Sequence, residues 1–61
     1  MNELTCYVGD QSCLYWTTEK ISVSEAIEEL FDVMEQNNIG NDLIVTGAEL
    51  RDADGNIIDE E

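Results

Sequence analysis

The chain has 61 residues, and 15 Asp and Glu against 2 Lys and Arg give it a net charge of −13. That length holds one domain, residues 1–61, with one small core, since a chain of this size buries only about 60% of the surface its unfolded form exposes. The charge repels nucleic acid and anionic lipid, and leaves cationic partners: a basic protein, a metal or a polyamine. Apolar residues at 43% suffice for a globular fold, and no apolar run approaches the roughly 18–20 residues of a membrane span. "MNELTC" lacks a basic segment followed by an apolar stretch, so no export signal is read and the cytoplasm is the expected location. An acidic surface also suits a high-salt cytoplasm, which is the bland alternative for the charge.

"LTCYV" (Leu4–Val8) and "CLYWTT" (Cys13–Thr18) are rich in β-branched and aromatic residues and flank the turn cluster "GDQS". They predict a β-hairpin. A two-residue turn at Gly9-Asp10 would set Cys6 opposite Cys13. A three-residue loop, Gly9-Asp10-Gln11, instead sets Cys6 opposite Leu14 and Leu4 opposite Trp16, with Cys13 on the other side. The second register gathers one apolar face and leaves the opposite face to Thr5, Tyr7, Tyr15 and Thr17. It is the expected one, with both cysteines reduced.

A helix follows. Ser22 with Glu25 fits a capping box, and Ile21 is placed to staple onto Ala26 or Ile27. Val23, Ala26, Ile27, Leu30, Phe31 and Met34 recur at helical spacing and predict the buried stripe. "NNIGN" ends the helix, with Asn38 or Gly40 suited to a left-handed cap. "DLIVTGAEL" (Asp42–Leu50) predicts a third strand, expected to be the most buried, with Gly47 a candidate bulge. "DADGN" predicts a turn, "IID" a short fourth strand, and the final "DEE" a frayed, solvated tail.

The order β-β-α-β-(β) defines an α+β fold with one helix packed on a small antiparallel sheet. A helix that returns along strand 2 delivers strand 3 antiparallel to strand 1, giving the expected sheet order 2-1-3-4 with a right-handed crossover.

Enzymatic chemistry finds little support. Paired carboxylates need a cleft that holds two environments apart, and a two-layer domain of this size has little room for one. There is no His, no Gly-rich phosphate loop, and no Ser beside a base. Ser12, Ser22 and Ser24 fit turns and caps, and Tyr7, Tyr15 and Trp16 fit sheet packing before a binding platform. No cofactor and no metal site is expected. Asp52, Asp54 and Asn56 alternate as in a calcium-binding EF-hand loop, but the sixth position of that loop requires Gly and here is Ile57.

The acidic helix stands out. In "SEAIEELFDVME", Glu25, Glu28, Glu29, Asp32 and Glu35 fall on one stripe, with no Lys or Arg among them. Like charges at i and i+4 cost roughly 0.2–0.5 kcal/mol per pair. The stripe spans about 15 Å at 1.5 Å rise per residue. Five carboxylates over that length lie about 3.7 Å apart, near the roughly 3.4 Å phosphate repeat of one DNA strand. A solvated face is the ordinary reading of such a helix. The cost in repulsion and the pitch favour a surface that binds, with Glu25, Glu28, Glu29, Asp32 and Glu35 as contacts and the acidic turn at Asp52 and Asp54 as a second candidate.

In size, acidity and expected fold the chain resembles small phage-borne inhibitors that mimic DNA, including anti-CRISPR and antirestriction proteins. "CYVGDQSCLYW" followed by "EAIEEL" is similar to the opening of antirestriction proteins, which are much longer. The resemblance implies a monomer in the host bacterial cytoplasm. Its partner would be a basic, DNA-binding protein complex, such as a CRISPR effector, blocked by occupation of its DNA channel. A hairpin followed by "ISVSEAIEEL" is also similar to HicB-type antitoxin domains. That resemblance implies a small basic toxin as partner; a plain acidic adaptor would bind a small basic protein.

Overall fold

A computed structural model describes residues 1–9, 12–39 and 43–61. The hairpin forms from β1 (Asn2–Val8) and β2 (Ser12–Thr18), paired Leu4 to Trp16, Cys6 to Leu14 and Val8 to Ser12. This is the register of the three-residue loop. Gly9 opens the loop with φ +71°, a left-handed conformation that favours glycine; Asp10 and Gln11 lie outside the described residues. The register buries Cys6 and exposes Cys13, and both thiols are free. Strand alternation is the cause, since Cys13 pairs with Tyr7 on the opposite face.

Helix α1 (Val23–Gln36) starts at Ser22, whose Oγ accepts from the Glu25 amide at 3.4 Å. Ile21 does not staple it: this side chain is 75% exposed. The first turn is held instead from across the fold, where Asp59 Oδ2 accepts from the Val23 amide at 2.7 Å. Asn38, at φ +55°, takes the left-handed position after the helix. The Asn38 amide reaches the Glu35 carbonyl at 3.1 Å and the Ile39 amide reaches Met34 at 2.9 Å, a Schellman cap. Gly40, the other candidate cap, lies outside the described residues.

Strand β3 (Val45–Arg51) starts later than expected, because Leu43 and Ile44 are exposed and precede the ladder; Asp42 lies outside the described residues. The bulge falls beside the expected Gly47: Tyr7 pairs with Gly47 but Val8 with Val45, leaving Thr46 as the extra residue. Strand β4 (Ile57–Glu60) pairs with β3 and completes the order β2-β1-β3-β4, with β1 antiparallel to both β2 and β3. The tail is not frayed. Glu61 exchanges both backbone hydrogen bonds with Ala48, at 2.9 and 3.1 Å, so the ladder runs through it.

The fold is α+β, one helix on one four-stranded antiparallel sheet. Val23, Ala26 and Leu30 pack on Leu4, Cys6, Ala48 and Leu50, with Leu14, Trp16, Ile27, Phe31 and Met34 around them. Strand β1 contributes most to this core, through Leu4, Cys6 and Val8, while β3 contributes Ala48 and Leu50. The expectation that strand 3 would be the most buried therefore fails. Both strands are central, but the bulge interrupts the alternation of β3 before it can add a third inward residue.

Candidate protein-binding surface

The five carboxylates of the helix stripe separate into two groups. Glu25, Glu28, Asp32 and Glu35 are exposed, and among the described residues none of their carboxylates takes part in a hydrogen bond or ion pair. Glu29 differs. It lies half-buried at the edge of the stripe that overhangs β2, where its Oε1 accepts from Trp16 Nε1 at 2.8 Å and from Thr18 Oγ1 at 2.6 Å. Those bonds, Thr18 first and then Trp16, hold its carboxyl below the usual glutamate range, and the nearby Lys20 charge acts in the same direction. The fold thus consumes one of the five expected contacts.

The cause is legible in the packing. Trp16 faces the helix, so its indole N–H needs an acceptor. Thr18 is buried and would otherwise carry an unpaired hydroxyl. One carboxylate serves both, and Thr18 Oγ1 accepts in turn from the Lys20 amide at 3.0 Å. A Trp on the apolar side of the hairpin was the available sequence signal for this partnership.

The helix face is also not free of positive charge. Lys20, on the segment entering the helix, lines a shallow hollow of about 350 Å³ with Glu25, Glu28, Glu29 and Asp32. The absence of cations within the helix had suggested an uncompensated stripe. Lys20 bears on Glu29 but makes no ion pair with Glu25, Glu28 or Asp32 among the described residues, and Glu35 stands outside that hollow. With Glu29 withdrawn, four carboxylates cover about 15 Å, a mean interval of about 5 Å. The match to the phosphate repeat is lost, and charge density is what remains.

The second candidate, the acidic turn, is partly structural. Asp52 Oδ1 accepts from the amides of Asp54 and Asn56 at 2.9 and 3.0 Å, shaping a turn closed by Gly55 at φ +86°. Asp54 is exposed. Across the open sheet face, Glu49 accepts from Tyr7 Oη at 2.9 Å and from Arg51, whose Nη1 reaches the Gly55 carbonyl at 2.7 Å. Arg51, then Tyr7, draw the Glu49 carboxyl below its usual range; the bond to Glu49 pushes the Tyr7 phenol up. Tyr7 and Tyr15 lie on this exposed face, as the hairpin register predicts.

The chain matches no family model, no curated protein and no solved structure. No helix among the described residues is long and apolar enough to cross a membrane.

Proposed function

We propose that the chain is an inhibitor that binds a basic, nucleic-acid-handling protein complex, such as a CRISPR effector, and occupies the surface meant for DNA. One observation carries the reading: Glu25, Glu28, Asp32 and Glu35 project from a single helix face, and nothing among the described residues engages their carboxylates. Carboxylates that repel one another destabilise their helix, and a cationic groove would turn that cost into attraction. The net charge of −13 supports the same partner class by steering it over a longer range.

The test is displacement. Immobilised chain is exposed to bacterial lysate, and the retained proteins are challenged with double-stranded DNA and with salt. Retained proteins should be released by DNA, released steeply by salt, and not retained by the E28Q/D32N/E35Q variant. Retention that DNA does not disturb overturns the mimicry and favours an acidic adaptor or antitoxin that grips a small basic protein elsewhere.

A further inference from the structure

The two edges of the sheet are unlike. Strand β4 is short, interrupted by a register shift at Ile58, and carries Asp59 and Glu60; such features discourage strand addition. Strand β2 has seven residues, "SCLYWTT", in unbroken register with β1 and without a single charge. Ladder alternation fixes which of its backbone groups face outward. Ala48 exchanges both bonds with Glu61, so its N–H and C=O point toward β4. Cys6, paired with Ala48 on β1, must therefore bond toward β2, to Leu14. Alternation along β2 then leaves the N–H and C=O groups of Cys13, Tyr15 and Thr17 pointing away from the sheet.

The ground beside that edge leads to the acidic helix face. A second hollow, of about 550 Å³, lies among Met1, Trp16, Thr17, Thr18, Glu19, Lys20 and Glu29, and it shares Lys20 and Glu29 with the hollow that reaches Glu25, Glu28 and Asp32. Within the second hollow Glu19 and Glu29 are met by Lys20 and the Met1 amine, so the uncommitted negative charge begins beyond it, at Glu25, Glu28 and Asp32.

The geometry points to β2 as a docking edge for an extended Lys- or Arg-rich segment of the partner protein, added as a fifth strand beneath the acidic helix face. This inference rests on the proposed function for the charge of the partner. Backbone pairing with Cys13, Tyr15 and Thr17 supplies affinity, and alternate side chains of the incoming strand rise toward Glu25, Glu28 and Asp32.

The probe is a short synthetic peptide of alternating Lys and Val, with an equally charged control N-methylated at alternate backbone positions. Amide exchange at Cys13, Tyr15 and Thr17 should slow when the first peptide is added and stay unchanged with the control. Tyr15→Pro removes one outward N–H and no bond to β1, a substitution edge strands tolerate; it should weaken the peptide by roughly tenfold, the worth of about one hydrogen bond. The exchange measurement on the native chain stands even if that variant folds poorly. Unchanged exchange at all three amides overturns the docking edge, and if E28Q/D32N/E35Q still weakens the peptide, the proposed function survives. Slowed exchange with full binding by E28Q/D32N/E35Q keeps the edge and overturns the carboxylate reading. Protection of the three amides that rises with concentration of the chain alone assigns the edge to a second copy and overturns the cationic strand.

Discussion

The outward face of α1 and the C-terminal arm carry the same charge and use it differently. On the helix, Glu25, Glu28, Asp32 and Glu35 meet solvent without a hydrogen-bond partner among the described residues. In the arm, Asp52 shapes the turn, Asp59 holds the first amide of the helix, and Glu61 continues the ladder through its backbone. Composition counts these residues alike. Whether a carboxylate is structural depends on whether a backbone or side-chain donor points at it, and Glu29 shows that the boundary can run through a single helix stripe.

Substitutions on either side of that boundary should separate cleanly. The largest effect is expected at Glu29→Ala, which strips the acceptor from Trp16 and from the buried hydroxyl of Thr18. Its melting temperature should fall well below that of Glu28→Ala, and the Trp16 fluorescence should shift. Equal melting of the two variants would erase the distinction. This gap should also depend on pH. A carboxyl held low in the folded state stabilises fully above its ordinary value of 4.5, and that contribution is lost as pH falls through the lower folded value. The gap between native chain and Glu29→Ala should therefore close below pH 4.5 and not above it.

Asp59→Ala comes next. Losing an acceptor at a helix N-terminus costs about 1 kcal/mol, which is roughly 4–8 °C in a domain of this size. Thermal melting and faster exchange of the Val23 amide would both report it. Asp52→Ala should cost less, because its two bonds shape an exposed turn, and the effect should appear as faster exchange at Asp54 and Asn56. An unaltered exchange pattern there would move Asp52 to the unengaged group.

Much of this architecture was legible in the chain. The hairpin register followed from placing Leu4, Cys6, Leu14 and Trp16 on one face, and the helix followed from its apolar spacing and the Ser22 cap. What escaped was long-range and polar. Nothing near Asp59 in sequence announces that it caps a helix 36 residues away, and local rules therefore gave that role to a staple at Ile21. The tail read as frayed because its charges are solvated, yet its backbone is paired. Glu29 was counted with its neighbours because periodicity assigns a direction to a side chain and not a partner.

A smaller effect tests the register. Cys13 is exposed and burial pushes the Cys6 thiol up, so a thiol reagent should label Cys13 at once and Cys6 only through opening of the fold. Added reductant should leave the melting temperature unchanged; a drop of many degrees would reveal a disulfide and undo the register.

The central claim, that the outward helix carboxylates are surplus to the fold, is tested most directly by melting E28Q/D32N/E35Q beside the native chain at low salt. Relief of like-charge repulsion should leave the variant as stable as the native chain or a few degrees more so, and the difference should shrink toward about 0.3 M salt as screening takes over. A variant that melts several degrees lower would show that those carboxylates hold the fold together and are not a surface kept for a partner.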